Sequence, residues 1–424
     1  MKFKLTIQKL LLLLGYTFLG IGVILQSPQD LVKGLIRIIT TSGVLIIDFF
    51  EVGGIGPALV NASLLMIGSI YLAEYHKAEW TGSLIAAMFL MFGFGLFGKT
   101  IVNVIPFIIG VYLYARLTKK DFAPYISNAL QATSFSPIVT EIMFVLPLGS
   151  IIGVPLGMGV GLSVGLLLIP LVEHFRKTHL GFNLYNTGFT IGLLSTIYVS
   201  VMKSYGYEVY KQAIFYTNHT HEIAIILTLI FSNLLVLGLY KNSGWVHSLT
   251  SLFKETGYHN NDFYKSYGFK TTLINMALLG YISLAYVLLV GGSLNGPIIG
   301  AILTVVGFGG FGKHPLNILP IFIGVFIGSI TKLWSINEPV ILFAALFGTA
   351  LAPISGYFGP LWGVVAAYLN SSVVLATGNL HGGLNLYNTG FSSGLVAAVL
   401  VPLLFRFLPK RKNSLSINNH KAET

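Results

Sequence analysis

The heptapeptide NLYNTGF occupies Asn183–Phe189 and recurs letter for letter at Asn385–Phe391. Its surroundings, HLGFNLYNTGFTIGLL and HGGLNLYNTGFSSGLV, place both copies between apolar runs, just ahead of a further one. The flanking sequence repeats with it. GFGLFGKTIVNVIPFIIGV from Gly93 lies on GFGGFGKHPLNILPIFIGV from Gly307, and LVNASLL from Leu59 on LINMALL from Leu273. DFFEVGG from Asp48 lies on DFYKSYG from Asp262, and ALQATSFSPI from Ala129 on ALFGTALAPI from Ala345. Units this long are duplicated halves rather than solenoid repeats. The chain divides into a first repeat over 1–205, a polar linker over 206–222, a second repeat over 223–408 and a basic, polar tail over 409–424.

Only 9% of the 424 residues are charged and 54% are hydrophobic, where soluble domains carry about one quarter charged residues. Apolar runs such as LLLLLGYTFLGIGVIL and LINMALLGYISLAYVLLV approach the roughly 20 residues that cross a bilayer core as a helix. The 48 glycines suit close packing of such helices. The fold expected is an all-α polytopic membrane protein of two homologous halves, with about 10–14 transmembrane helices and some re-entrant half-helices. The net charge of +11 does not point to nucleic acid, because the Lys and Arg residues sit between apolar runs, as in cytoplasmic loops. With no cysteine, disulfides and thiolate metal sites are excluded. The lysine-led N-terminus resembles a signal peptide but lacks a small-residue cleavage site, and it reads as a retained first helix.

In the first half the hydropathy predicts helices near 10–26, 56–74, 82–93, 101–116, 122–138, 151–173 and 188–203, with 82–93 or 122–138 short enough to be re-entrant. With the N-terminus inside, ARLTKK, HFRKTH, the loop bearing Lys241, Lys254, Lys265 and Lys270, and the tail RFLPKRK all fall inside. The equivalents of the first half's basic loops, around Lys332 and His381, carry little charge and fall outside. A charge bias that reverses between copies indicates inverted repeats.

Two duplicated elements stand out as a solute path. In GFGxFGK, Gly93, Gly95 and Gly98 and their copies Gly307, Gly309 and Gly312 allow unusual backbone angles. Asn103 with Pro106, and Asn317 with Pro320, follow at matched positions, the prolines interrupting the next helix. Within a bilayer such backbone survives only buried in protein or lining a watery cavity. Lys99 and Lys313 either attract anions and govern admission, or snorkel to water at the interface. In the heptapeptide, Asn186 and Thr187, with Asn388 and Thr389, can cap the following helix. Capping leaves Asn183, Tyr185, Asn385 and Tyr387 unexplained. Amides and phenols both donate and accept without charge, which suits a small polar solute. Gly188 with Gly192, and Gly390 with Gly394, form small-residue faces for helix packing. His179 and His381 precede the two copies and read as structural.

No catalytic or metal-binding signature is present and no cofactor is expected. Glu141 meets Tyr357 in the other half, so it stands outside any symmetric core; Asp48 and Asp262 are matched, but the surroundings of Asp262, YHNNDFYKS, are too wet for a buried relay.

Along its full length the chain resembles an uncharacterised bacterial family of duplicated integral membrane proteins, classed as a domain of unknown function. More locally, Tyr185, Asn186, Gly188 and Gly192, with Tyr387, Asn388, Gly390 and Gly394, resemble a segment found in both halves of urea transporters. That likeness covers about a dozen residues per half, with an extra Thr187 or Thr389, and the N-P-x-S-G element is missing. It implies a related inverted-repeat, channel-like architecture.

The expected function is a channel or facilitative transporter for a small polar solute. The alternatives are a membrane-embedded subunit of a redox or other enzyme complex, or a membrane scaffold. The expected setting is the plasma membrane with both termini cytoplasmic, the lipid bilayer and a small solute as partners, and a homo-oligomer left open. Without paired acids in a span, transport is expected to be passive.

Overall fold

The computed structural model describes residues 5–210, 213–258 and 261–408; the tail 409–424 lies outside them. The first half comprises α1 (Ile7–Ile24), α2 (Pro28–Thr40), α3 (Phe49–Val52), α4 (Ile55–Tyr75), α5 (Gly82–Gly95), α6 (Ile105–Leu117), α7 (Ile126–Ala132), α8 (Pro137–Thr140), α9 (Gly149–Phe175) and α10 (Asn186–Ser204). The second half follows with α11 (Thr220–Leu239), α12 (Trp245–Leu252), α13 (Phe263–Leu289), α14 (Gly296–Gly307), α15 (Pro315–Thr331), α16 (Pro339–Gly348), α17 (Ala352–Phe358), α18 (Pro360–Leu380) and α19 (Asn388–Phe407). Among the described residues, eight helical spans are long and apolar enough to cross a membrane. The protein is a polytopic helical membrane protein of two halves.

Contacts trace each half as five passes and one hairpin that turns back, the interrupted α7–α8 segment and α10 adding two passes to the eight apolar spans. In the first half α1 and α4 run antiparallel, with Gly22 against Gly56 and Gly15 against Ile67. The chain then reverses, and Thr81 caps α5 by accepting from the Leu84 N–H at 3.1 Å. At the inner end of α5, Asn61 Nδ2 donates to the carbonyls of Gly95 (2.7 Å) and Lys99 (2.8 Å). Gly98, at φ +77°, makes the turn, a conformation that favours glycine. Helix α6 then returns to the side it came from, its Tyr112 ring 6.1 Å from His76, just past the end of α4. Next, the interrupted helix through α7 and α8 crosses fully. Ser127 meets Ser83 at its start (2.8 Å), and Glu141 meets Ser42 and Tyr207 at its end (2.5 Å each). Helices α9 and α10 complete the half.

An odd number of crossings turns the second half upside down, and two reciprocal hydrogen bonds show it directly. Asp48 precedes α4, yet its Oδ2 accepts from Gly296 N–H at the start of α14 (3.3 Å). Asp262 precedes α13 and accepts from Gly82 N–H at the start of α5 (3.0 and 3.1 Å). Each aspartate therefore caps the hairpin of the opposite half, at the negative-charge-favouring end of a helix. The two hairpins enter from opposite sides, and α5 and α14 pack antiparallel through Gly93 and Gly300. Asp48 also accepts from Phe50 and Tyr216 N–H groups. Burial nonetheless pushes its carboxyl up to about 7, against the downward pull of those three backbone donors.

The second hairpin repeats the first. Asn275 Nδ2 donates to the Gly309 and Lys313 carbonyls, both at 2.8 Å, and Gly312 turns at φ +84°. These matched asparagines satisfy backbone that a bilayer core would otherwise leave bare. Replacing either by alanine strips a donor from two buried carbonyls. The expected loss is about 2–6 kcal/mol, at about 1–3 kcal/mol for each of the two orphaned groups. Thermal unfolding in detergent reads this, and an unchanged midpoint in Asn61→Ala and Asn275→Ala would show that the tips do not depend on them.

Several sequence expectations are corrected. The helix expected over 101–116 begins at Ile105, because residues 96–104 form the hairpin turn. The segment expected to end at 138 continues past Pro137 through a π-helical turn over Glu141–Val145. Helix α2 was not expected; Ser27 caps it, accepting from Asp30 N–H. Pro106 does sit in the first turn of α6, but α15 runs through Pro320 without a break. Finally, Asn186, Thr187, Asn388 and Thr389 do not cap α10 or α19: Tyr185 and Tyr387 occupy the cap positions and no side chain caps either helix.

Candidate functional site

The two NLYNTGF segments meet at the centre of the protein. Gly188 and Gly390 let α10 and α19 cross closely: a Cβ added at Gly390 would lie 3.1 Å from the Gly188 Cα. Asn183 Nδ2 donates to the Gly390 carbonyl across the halves at 2.8 Å. In each segment the first asparagine folds the loop locally, its Oδ1 accepting from the Tyr185 or Tyr387 N–H at 3.0 Å. These bonds aim both tyrosines inward. Their rings lie 4.6 Å apart between centroids, and both residues are fully buried.

The hairpin tips add a ring and a lysine on each side of that pair. Phe94 packs 5.3 Å from Tyr387, and Lys99 Nζ lies 4.9 Å from the Phe94 centroid. In the other direction Phe308 packs 4.8 Å from Tyr185, and Lys313 Nζ lies 4.8 Å from the Phe308 centroid. The result is a pseudo-symmetric ladder of four rings, closed at both ends by a lysine. Lys99 and Lys313 are 1% and 0% exposed, so neither reaches water. The snorkelling alternative is thereby overturned: the hairpin carries each lysine too deep for its stem to reach the interface.

Polar partners of the lysines are neutral. Lys313 Nζ donates to Tyr185 Oη (2.5 Å) and Thr349 Oγ1 (2.7 Å). Lys99 Nζ makes longer contacts, to the Leu130 carbonyl (3.3 Å) and Met91 Sδ (3.6 Å). Thr133, the counterpart of Thr349, lies beside Lys99 and donates to the same Leu130 carbonyl at 2.6 Å. The Tyr387 hydroxyl, counterpart of the lysine-bound Tyr185 hydroxyl, is buried without a hydrogen-bond partner. Among the described residues no carboxylate pairs with either lysine; the two ion pairs found are His219–Glu222 and Lys265–Glu79, both exposed.

A cavity approaches the ladder from each side. The first, of about 330 Å³, opens between Tyr125, Glu173 and Arg176 and reaches Asn183, Asn186, Thr187 and Phe308. The second, of about 240 Å³, opens beside Leu45, Val340 and Asn379 and reaches Asn388, Thr389 and Phe347. Phe347 touches three rungs of the ladder, with centroids 5.7 Å from Phe94, 6.1 Å from Tyr387 and 6.5 Å from Tyr185. Thus Asn186 and Thr187 line one cavity and Asn388 and Thr389 the other. Asn186 and Asn388 also tie the loop to its neighbours: their amides donate to the Val172 and Val374 carbonyls, and their oxygens meet His179 and His381. That contact accounts for a histidine ahead of each copy.

Not every expected path residue lies on these cavities. Asn103 and Asn317 are corrected: both are buried inside the hairpin turns. Their amides donate to the Gly98 and Gly312 carbonyls and their oxygens accept from Thr100 and His314 N–H groups. They hold the turns closed. Asn385 is buried on the His381 side and Tyr185 and Tyr387 belong to the ladder, so none of the three lines a cavity wall. The sequence reasoning passed over Phe94, Phe308, Thr133, Thr349 and Phe347. The first four were visible as matched positions within the repeats; Phe347 aligns with Gln131 of the other repeat and carried no such signal.

The model of DUF1576, a family described as proteins of unknown function, matches residues 27–204 and again 241–406, and the chain belongs to that family. Neither a curated protein nor a solved structure matches it, so the local likeness to urea transporters gains no support beyond the residues that carry it.

Proposed function

We propose that this member of DUF1576 is a channel or facilitative transporter for a small polar solute, moving between the inverted halves. One observation carries the reading. Two cavities reach inward from opposite sides, each ends on one copy of the same heptapeptide, and a single ladder of rings separates them. Inverted repeats with a central site and interrupted helices are the architecture in which alternating or shared access to both sides is built. We place the protein in the plasma membrane. The side bearing Lys77, Arg116, Lys119, Lys120, Arg176, Lys177, Lys241, Lys254 and Arg406 is cytoplasmic by the positive-inside rule, because the opposite side carries few basic residues beyond Lys33, Arg37, Lys203 and Lys332.

Solute uptake into proteoliposomes tests this. Asn186→Ala with Asn388→Ala is expected to lower flux about tenfold, since each removes polar wall contacts worth about 0.5–1.5 kcal/mol. The remaining flux is expected to show no dependence on pH or sodium, since neither cavity's inner end offers a paired acid for ion coupling. Uptake against a solute gradient that persists only while a proton or sodium gradient is held would sink the passive reading. If no solute crosses at all, a scaffold or complex subunit becomes the better account.

A further inference from the structure

We propose that the solute is a small monovalent anion, drawn to the ladder by Lys99 and Lys313 and held at its Lys99 end with the Tyr387 hydroxyl; this rests on the transport reading above. Three features of the ladder carry it. The first is the charge itself. Two matched lysines sit wholly inside the protein without an acidic partner among the described residues. An ammonium taken from water into such a site is costly unless something compensates it. Hydroxyls, a carbonyl, a thioether and ring faces offer partial negative charge only.

The second feature is direction. A lysine near an interface ordinarily extends its stem towards water. Here both ammonium groups instead face the ladder, Lys313 at 4.5 Å from the Tyr185 centroid and Lys99 at 4.9 Å from that of Phe94. Duplicated lysines at the two ends of one ladder present positive potential to whatever enters it from either side. A cation is repelled there, and a neutral solute has no use for the charge. A dianion loses far more hydration than two lysines restore. A monoanion fits both the sign and the magnitude.

The third feature is an asymmetry between the halves. Around Lys313 the donors and acceptors close on one another, with Tyr185 and Thr349 both bound to the ammonium. Around Lys99 they do not. Its contacts are long, and the Tyr387 hydroxyl, its counterpart donor, is buried with no partner. Tyr387 Oη–H therefore lacks an acceptor and Lys99 Nζ is loosely held, with Tyr387 lying behind Phe347, which lines the second cavity. Halide, nitrate and formate are small acceptors of that kind.

The test uses the full-length protein in detergent, in a gluconate buffer of constant ionic strength, with chloride, nitrate or formate exchanged in. Binding to the folded state raises the unfolding midpoint in a saturable way. A saturable rise is expected for the wild type, lost in Lys99→Met and Lys313→Met and kept in part by Lys99→Arg. Tyr387→Phe keeps both lysines and the ring, and is expected to weaken binding about tenfold, within the range for a hydrogen bond to a charged group. If a methionine variant does not fold, Tyr387→Phe and Lys99→Arg decide the matter. No saturable response in the wild type, or the same response in every variant, would overturn the proposal. A flux arm separates it from the broader reading: vesicles are offered nitrate, urea and methylammonium. Urea flux without anion binding leaves a transporter and overturns the anion. Anion binding without flux of any solute keeps the site and overturns transport.

Discussion

Gly82→Ala is expected to leave little folded protein, although it adds one methyl group. Gly82 opens α5, where its N–H donates to Asp262 of the other half. A Cβ there would stand 1.8 Å from the Gly310 carbonyl oxygen, and 2.5 Å from its carbon. Both atoms belong to the backbone of the second hairpin, so no side chain can swing aside to make room. Either α5 shifts along its axis or the 3₁₀ turn at Phe308–Gly310 unwinds, and each breaks the reciprocal cap. A loss of about 3–5 kcal/mol is expected, at the upper end for overpacking because strain and the cap are lost together. Gly68→Ala is the control: it lies within α4 with nothing inside 4 Å of the added carbon. There the helix gains about 0.5–1 kcal/mol from alanine's smaller entropy loss. Thermal unfolding in detergent, followed by tryptophan emission, compares the two. Equal midpoints would mean that the hairpins do not interlock at this contact.

That contact also shows what could be read in advance. Duplication, inversion and the glycine-marked turns were all written in residue order, because repeated letters and the side preference of lysine and arginine survive without coordinates. Depth was not. Lys99 and Lys313 look alike in sequence whether they reach water or a ring ladder, and only each hairpin's reach along α4 or α13, fixed by Asn61 or Asn275, decides it. Likewise Asn103 has the chemistry of a solute contact, yet spends both ends of its amide on its own turn. Helix α2 escaped notice because its polar positions, Gln29, Asp30, Lys33 and Arg37, interrupt every apolar run long enough to score as a span. Glu141, unmatched in the other half, is buried against Ser42 and the linker residue Tyr207 and lines neither cavity. The reciprocal roles of Asp48 and Asp262 required contacts between halves that no single repeat contains.

Phe347 is where the duplication departs most consequentially, and its truncation is expected to have the largest effect on transport. The matched residue in the first half is Gln131, which lines the first cavity and donates to Ser127 at 3.0 Å. On the opposite side a phenyl ring takes that place, and the cavity is smaller, about 240 Å³ against 330 Å³. Phe347 packs tilted on Phe343 at 5.3 Å and abuts Phe94, Tyr387 and Tyr185, so it stands between the second cavity and the centre of the ladder. Phe347→Ala removes the ring without touching either lysine. Stability is expected to fall by about 3–5 kcal/mol, the usual cost of a buried Phe-to-Ala change. Flux per folded molecule, however, should rise at least about tenfold if the ring accounts for 1.4 kcal/mol or more of the barrier. Selectivity by size should relax with it, larger solutes of the same charge passing where the wild type excludes them. Proteoliposome uptake normalised to folded protein measures both. A variant that folds, yet conducts at the wild-type rate with wild-type size selectivity, would place the barrier elsewhere and detach the second cavity from the path.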